Sequence, residues 1–148
     1  MPKYKGGCQC GAVVFEINGD LGKASICHCR MCQKAFGNFY APLVSVTQES
    51  LNYPKEKPKY FQSSNLVKRG FCDSCGTPLT YEAPDGIAIA IGAFDKPNEV
   101  VPVIQFGTES KIIYVDNLHN LPNRDTLDDM EDAPFLNQII SYQRADED

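Results

Sequence analysis

Short apolar segments, rich in β-branched and aromatic residues and separated by turn-forming residues, recur along most of the chain. In the clearest one, residues 87–91 read Ile-Ala-Ile-Ala-Ile, so large and small side chains alternate between two faces, directly after the turn signal Pro84-Asp85-Gly86. The same reasoning predicts strands at residues 12–17, 24–28, 38–46, near 60–61, 66–71, 103–106 and 112–115. Because short strands with turns between them are typical of β-rich domains, we predict a mostly β fold.

One segment has the residue spacing of an amphipathic helix. Within residues 133–144, four apolar residues fall close to a single stripe of a helical wheel. They are Phe135, Leu136, Ile139 and Ile140. This pattern predicts a C-terminal helix that packs on the sheet.

The length and composition fit one globular domain. The chain has 148 residues, of which 43% are hydrophobic and 22% are charged. It has no apolar run approaching the roughly 18 residues that a membrane-spanning helix needs. Its first residues also lack the apolar stretch of a secretory signal. We therefore expect a cytoplasmic protein without membrane association.

Charge is distributed unevenly between the two ends of the chain. Residues 1–115 contain 12 basic and 10 acidic side chains, whereas residues 116–148 contain 2 basic and 9 acidic ones. Because binding to nucleic acid requires a basic surface, this balance argues against a nucleic-acid partner. We predict one domain at residues 1–115, with an acidic C-terminal extension, residues 116–148, packed on it or trailing from it.

The seven cysteines form three groups in the sequence. An odd number of cysteines without a secretory signal argues against a disulfide framework and favours metal or redox chemistry. The first group is Cys8 and Cys10, the second is Cys27, Cys29 and Cys32, and the third is Cys72 and Cys75.

The first and third groups together predict a closed zinc site with four thiolates. Gly11 and Gly76 follow these two groups, where glycine accommodates the positive φ that a metal-binding turn requires. On extended backbone, Cys8 and Cys10 would also present both sulfurs to one face. A site of four sulfurs, Cys8, Cys10, Cys72 and Cys75, would be structural because a saturated tetrahedron excludes substrate.

The second group predicts an open site. Cys27, Cys29 and Cys32 can hold one zinc ion and leave its fourth position free, which is the form of catalytic zinc sites. Four basic side chains close to the clusters in sequence could moderate their negative charge. These are Arg30, Lys34, Lys68 and Arg69.

Other arrangements of the cysteines compete with this partition. The pair Cys29 and Cys32 could form a zinc ribbon with the third group, or could act as a redox pair, although the βαβ context of a redox pair is missing. His28 lies between two cysteines on extended backbone, so we expect it to point away from them. We expect His119 to be a surface histidine.

Three blocks of sequence resemble the glutathione-dependent formaldehyde-activating enzyme family. Residues 7–13 read Gly-Cys-Gln-Cys-Gly-Ala-Val, residues 27–35 read Cys-His-Cys-Arg-Met-Cys-Gln-Lys-Ala, and residues 71–79 read Phe-Cys-Asp-Ser-Cys-Gly-Thr-Pro-Leu. The resemblance implies a β-tent fold of small antiparallel sheets joined by a structural zinc. It also implies a catalytic zinc on the second cysteine group.

The activity implied by this resemblance is that of a carbon–sulfur lyase. Its partner would be a small-molecule thiol, since relatives condense formaldehyde with glutathione to S-hydroxymethylglutathione. Two features depart from the family pattern: Lys111 stands where relatives commonly have histidine, and residues 116–120 replace an aromatic segment. A zinc-stabilised binding module without catalysis is the alternative, and a thiol reductase would need a reactive cysteine outside the metal sites.

Overall fold

Two β-sheets form the protein in this computed structural model, which describes residues 1–147. The smaller sheet has the order β1-β2-β5, with antiparallel neighbours. The larger sheet has the order β10-β3-β4-β9-β8-β7-β6, and its neighbours are antiparallel except for the parallel pair β10 and β3. The strands are β1 (Tyr4–Gly7), β2 (Val14–Ile17), β3 (Ala24–Cys27), β4 (Ala41–Val46), β5 (Leu51–Asn52), β6 (Lys59–Gln62), β7 (Lys68–Phe71), β8 (Pro78–Ala83), β9 (Gly86–Ala90) and β10 (Ile104–Phe106). The predicted mostly β fold is confirmed.

The helices are few and short. Two are α-helical, α1 (Arg30–Phe36) and α2 (Thr126–Asp129). Short segments of 3-10 helix lie at Gln48–Ser50, Ile91–Ala93, Pro97–Glu99, Thr108–Ser110, Val115–Asn120 and Pro134–Gln138. Within residues 1–147, no helix combines the length and apolar character that crossing a bilayer would require.

The main hydrophobic core lies where β2 of the smaller sheet packs on the larger sheet. Phe15 and Ile17 of β2 are almost completely buried and belong to one cluster with Val44 of β4 and Ile89 of β9. The Phe15 ring meets Phe94 edge-on, with ring centroids 5.1 Å apart. Because alternate side chains of a strand point to opposite faces, the strand pattern read from the sequence places these residues inward.

A second feature of the fold positions the cysteines. β3 ends at Cys27, α1 begins three residues later, and β4 returns antiparallel to β3 with Cys27 opposite Ala41. Gly37 caps the C-terminal end of α1. Its φ of 56° is left-handed, and its backbone N–H donates to the carbonyls of Gln33 and Lys34. The loop between β3 and α1 is therefore fixed at both ends by regular structure.

The prediction of a strand at residues 112–115 is wrong. The backbone N–H of Val115 donates to the carbonyl of Ile112 at 3.1 Å, which is a tight turn, and a 3-10 helix follows. Ile113 is 93% exposed. A β-branched segment forms a strand only where a neighbouring strand and a buried face exist for it, and neither is present at this position in the described residues.

The prediction of a helix over residues 133–144 is also wrong, since only Pro134–Gln138 is helical, as a 3-10 turn. No side chain caps this turn. Phe135 within it is 62% exposed and Ile140 beyond it is 76% exposed, so little packing is available to stabilise a longer helix. Beyond it, the backbone N–H of Arg144 donates to the carbonyl of Gln9 at 2.7 Å. This contact draws the chain toward the body of the domain in a non-helical path.

Candidate functional site

Four cysteine sulfurs from the first and third groups converge. The Sγ atoms of Cys8, Cys10, Cys72 and Cys75 all lie within 4.8 Å of one another. The Cys8–Cys10 and Cys10–Cys72 Sγ distances are both 3.7 Å. Tetrahedral zinc with Zn–S bonds of about 2.3 Å requires S–S separations of about 3.8 Å. This four-cysteine cluster therefore has the spacing that a tetrahedral metal ion needs.

Each pair in the four-cysteine cluster lies in a turn with a glycine at positive φ. Gly11, with φ of 83°, donates its backbone N–H to the carbonyl of Cys8, and Gly76, with φ of 82°, donates to the carbonyl of Cys72. The expectation of positive φ at both glycines is confirmed. The expectation of extended backbone at residues 8–10 is wrong, because the bond to Gly11 closes a turn. The turn still brings the two sulfurs to one side.

Polar hydrogens surround the sulfurs of the four-cysteine cluster. The backbone N–H of Val13 donates to Cys8 Sγ at 3.3 Å, and that of Cys10 donates to Cys75 Sγ at 3.4 Å. The Thr77 hydroxyl lies 3.2 Å from Cys75 Sγ. Burial opposes ionisation of Cys75, but its contacts with Thr77 and Cys10 lower its pKa to about 6. Burial raises the pKa of Cys72. Cys75 is thus a sulfur of this cluster that its surroundings favour as a thiolate.

The three remaining cysteines form a separate cluster. The Sγ atoms of Cys27, Cys29 and Cys32 lie within 4.8 Å of one another. Cys29 is the N-cap of α1, with extended φ and ψ of −62° and 153°, and its sulfur accepts a hydrogen bond from the backbone N–H of Cys32 at 3.4 Å. The zinc-ribbon arrangement is wrong, since Cys72 and Cys75 lie with Cys8 and Cys10 instead.

The helix that carries this three-cysteine cluster was missed from the sequence. Residues 30–36 are mostly good helix formers and are followed by Gly37, a common C-terminal signal. Those two features would have indicated α1. Without it, the convergence of Cys32 with Cys27 rests on spacing alone.

Arg69 of β7 is the basic side chain that contacts the three-cysteine cluster. Its Nη2 donates to Cys32 Sγ at 3.4 Å, and its Nε donates to Ser63 Oγ at 3.0 Å. The guanidinium lies 5.1 Å from the centroid of the Tyr81 ring, and the residue is only 7% exposed. Among the described residues, no hydrogen-bond partner faces its buried Nη1.

The other basic residues expected near the cysteines have different contacts. Arg30 donates to Gln33 Oε1 at 2.6 Å, and the Lys68 ammonium lies 4.3 Å from the centroid of the Tyr60 ring. The sequence placed Arg69 among four equal candidates. The register of β7 and the burial of this position single it out.

Protonation differs between the cysteines of the three-cysteine cluster. The hydrogen bond with Cys27 and the contact with Arg69, opposed by burial, lower the pKa of Cys32. The hydrogen bond with Cys32, followed by burial, raises the pKa of Cys27. Of these two sulfurs, Cys32 therefore becomes a thiolate more readily than Cys27.

A cavity of about 380 Å³ opens at the three-cysteine cluster. Cys27, Cys29, Cys32 and Arg69 line it. Met31, Leu43 and Phe106 supply apolar surface, and Ser25, Ser45, Tyr81 and Asp85 supply polar groups. Its size is within the range of small-molecule sites, which combine apolar walls with a few polar groups. The arrangement can accommodate a small substrate beside the sulfurs.

His28 is buried between its cysteine neighbours and faces away from their sulfurs. Its Nε2 lies 2.7 Å from Gln105 Oε1, and its ring meets Tyr40 edge-on at 5.5 Å. The expectation that it points away is confirmed. Gln33, which the sequence did not single out, is 2% exposed and donates to the carbonyls of His28 at 2.6 Å and Ser110 at 3.0 Å. Gln33 therefore links the loop between β3 and α1 to the segment after β10.

Lys111 and the segment at residues 116–120, which both depart from the family pattern, contact each other in the structure. Lys111 forms an ion pair with Asp116, with an Nζ–Oδ1 distance of 3.3 Å. His119 is exposed, as expected for a surface histidine.

Comparisons with known proteins identify relatives at different levels. A crystal structure of a Rhodobacter sphaeroides protein superimposes with a TM-score of 0.55 and 22% sequence identity, and covers 68% of this chain and 98% of that chain, which shows a shared fold. An uncharacterized lyase of Schizosaccharomyces pombe is 30% identical over 86 residues, 58% of this chain. The match spans 62% of that relative's length. The sequence profile of the glutathione-dependent formaldehyde-activating enzyme matches residues 3–110, so the chain belongs to this family.

Proposed function

We propose that the protein is a zinc-dependent carbon–sulfur lyase that acts on the thiol adduct of a small aldehyde, such as S-hydroxymethylglutathione. The observation that carries the proposal is the convergence of the Cys27, Cys29 and Cys32 sulfurs in the lining of a cavity of about 380 Å³. Family membership and the relative named as a lyase support the same class of reaction.

The two clusters have different roles in this proposal. Cys8, Cys10, Cys72 and Cys75 hold a structural zinc, since four sulfurs complete a tetrahedron and leave no position for substrate. Cys27, Cys29 and Cys32 are the catalytic ligands. A zinc ion bound by three thiolates keeps a vacant position and supplies a Lewis acid there.

The reaction needs no oxidant or reductant. In the cleavage direction the carbon–sulfur bond of the adduct breaks, its electron pair remains on sulfur, and the hydroxyl proton is transferred so that a thiol and an aldehyde are released. Negative charge develops on the adduct's oxygen as the proton leaves. The unpaired Nη1 of Arg69 is a donor suited to that oxygen, because preorganised donors stabilise developing charge.

The cavity lining favours a small, polar thiol adduct over a macromolecule. Apolar side chains such as Leu43 and Phe106 restrict water around the sulfurs, and Asp85 lies at the same cavity as Arg69. The acidic balance of the chain, 19 acidic against 14 basic side chains, disfavours nucleic acid as a partner. All seven cysteines are free thiols in the structure, which suits a reducing compartment such as the cytoplasm.

In this proposal, residues 1–115 form the domain that carries both clusters. Residues 116–148 are an acidic extension of the same domain. Contacts between the two parts support packing rather than a free tail. The Arg144 guanidinium bonds to Asp95, and Lys5 bonds to Glu147 at 2.7 Å.

The test is a measurement of exchange between formaldehyde and its glutathione adduct by NMR. The zinc-loaded protein should accelerate exchange beyond the spontaneous rate, and the same protein stripped of metal should not. The formaldehyde adduct of a simple thiol, 2-mercaptoethanol, is measured in parallel. The difference between the two accelerations shows how much the rest of the glutathione molecule contributes to recognition. A zinc-loaded protein that leaves every exchange rate unchanged would reject the proposed reaction.

A further inference from the structure

The two cysteine clusters differ in the groups that compensate their negative charge. In the four-cysteine cluster, the donors to sulfur within the described residues are backbone N–H groups and the Thr77 hydroxyl. These groups carry partial charges only. In the three-cysteine cluster a full positive charge, the guanidinium of Arg69, donates to Cys32 Sγ. The difference is therefore one of charge and not only of ligand number.

No carboxylate forms an ion pair with Arg69 among the described residues, and Asp85 only lines the same cavity. The hydrogen bonds of Arg69 run to the Ser63 hydroxyl and to Cys32 Sγ. A buried ionised group is costly unless an opposite charge lies beside it. The Tyr81 ring face, 5.1 Å from the guanidinium carbon, contributes a weaker cation–π attraction. The thiolates of the cluster are thus the negative charge that this guanidinium requires.

The charges of the three-cysteine cluster balance only when Arg69 is counted. Three thiolates around one divalent ion leave one negative charge in excess, and one guanidinium cancels it. The contact at Cys32 leaves Nη1 still unpartnered and buried, so the guanidinium keeps a donor for an oxygen atom next to the cluster. When the site is filled, both Nη1 and Nη2 of Arg69 then have hydrogen-bond acceptors.

We propose that Arg69 is the counter-cation of the three-cysteine cluster and sets the affinity of that cluster for a divalent metal ion. In this role Arg69 is not a metal ligand itself but acts through its contact with Cys32 Sγ. The proposal rests on the proposed function in taking Cys27, Cys29 and Cys32 as metal ligands. The four-cysteine cluster, which has no guanidinium contact, should be independent of Arg69.

The test measures metal affinity with the full chain and needs no activity assay. Metal-free protein is titrated with Zn²⁺ in competition with a chromophoric chelator, and with Co²⁺, whose thiolate charge-transfer band reports sulfur ligation. The variants are Arg69→Met, which removes the charge, and Arg69→Lys, which keeps it. Lys68→Met is the matched control, because it removes the same charge from the adjacent residue of β7, which is exposed and lies over Tyr60.

The wild-type chain should bind two ions. Arg69→Met should bind the first as tightly as the wild type and the second about 10- to 100-fold more weakly, the usual effect of removing a group that supports a metal ligand. Arg69→Lys should recover part of this loss, and Lys68→Met should match the wild type. If Arg69→Met does not fold, Arg69→Gln, which retains hydrogen bonding without the charge, replaces it in the comparison with Arg69→Lys.

Two results would overturn the inference, and they are distinguishable. Unchanged affinity for the second ion in the uncharged variant, with two ions bound to the wild type, overturns the role of Arg69 alone. A wild-type chain that binds one ion and shows no thiolate band from the three-cysteine cluster overturns the metal assignment of the proposed function together with the role of Arg69.

Discussion

The guanidinium of Arg144 forms a two-pronged contact with the carboxylate of Asp95, with Nη1–Oδ1 and Nη2–Oδ2 distances of 2.5 and 3.1 Å. Their side chains are 15% and 3% exposed, so the pair is largely shielded from water. A bidentate geometry of this kind is among the stronger ion pairs. It joins the acidic extension to the segment after β9, where Asp95 also donates its backbone N–H to the carbonyl of Lys5 of β1 at 2.9 Å.

Removal of Arg144 should destabilise the domain. Arg144→Met leaves the Asp95 carboxylate buried with one remaining donor, the backbone N–H of Glu147 at 3.1 Å, and should lower the free energy of unfolding by about 2 kcal/mol. Urea denaturation provides the measurement. Arg124→Met is the matched control, because its partner Asp129 is about half exposed, and a loss below about 1 kcal/mol is expected there. Equal effects of the two variants would contradict the importance of burial.

Docking of the last residues should weaken in acid. The hydrogen bond and charge of Lys5 lower the pKa of Glu147. The pKa of Glu147 is lower in the docked form than in the undocked chain, where it is about 4.3. The contact with Lys5 therefore stabilises docking fully above that pH. This stabilisation is lost as the pH falls through the lower pKa of the docked form. Hydrogen exchange at the Glu147 amide should therefore accelerate, beyond its intrinsic pH trend, in acid. In Glu147→Gln this extra acceleration should be much smaller, and an identical acid response in the two proteins would exclude Glu147 as its source.

Gly76 should be needed for its backbone conformation alone. Its φ is 82°, and a Cβ at this position would meet no atom within 4 Å. Gly76→Ala should therefore cost about 1–2 kcal/mol through the strain of left-handed backbone, without a steric clash. Gly92→Ala is a suitable control, since Gly92 also has open space around it but not the positive φ. Thermal melting of both zinc-loaded variants distinguishes them, and equal melting temperatures would contradict the role of φ.

The division of the cysteines could be predicted from sequence because ligand spacing and the following glycine carry most of the geometry. Both features are local: Gly11 and Gly76 close turns that direct sulfurs to one side, whatever the rest of the chain does. The strand predicted at residues 87–91 was equally predictable, since β9 (Gly86–Ala90) covers all of it except Ile91. Local chemistry therefore determined the elements that were predicted correctly.

Apart from α1, which has a local signal, the features that sequence reasoning missed depend on distant parts of the chain. Ile113 has strand propensity, but it lies where no strand is available to pair with it. Arg69 and Lys68 are both basic, but they lie on opposite faces of β7. The face with Arg69 becomes buried only when β8 and the loop at Ser63 are in place. The parallel pairing of β10 with β3 likewise joins segments about 80 residues apart. None of these relationships leaves a signal within one segment.

Replacement of one cysteine in each cluster should separate structure from catalysis. In the proposed assignment, Cys10→Ser removes a zinc ligand from the cluster that joins the turn after β1 to the turn after β7, and structural zinc would contribute on the order of 10 kcal/mol to folding. This variant should lose its cooperative melting transition. Cys29→Ser removes a ligand from the open cluster but leaves serine, a favoured N-cap residue, at the start of α1. Its melting temperature should stay close to the wild-type value.

The same pair of variants distinguishes an enzyme from a binding module. Cys29→Ser should lose the acceleration of formaldehyde exchange and bind one zinc ion in place of two, as measured by elemental analysis of the folded protein. Loss of activity without loss of stability requires that the three-cysteine cluster acts on the substrate. If Cys29→Ser unfolds as readily as Cys10→Ser, both clusters are structural. The domain would then be a zinc-stabilised binding module, because the cluster beside the cavity would contribute its free energy to the fold and not to the reaction.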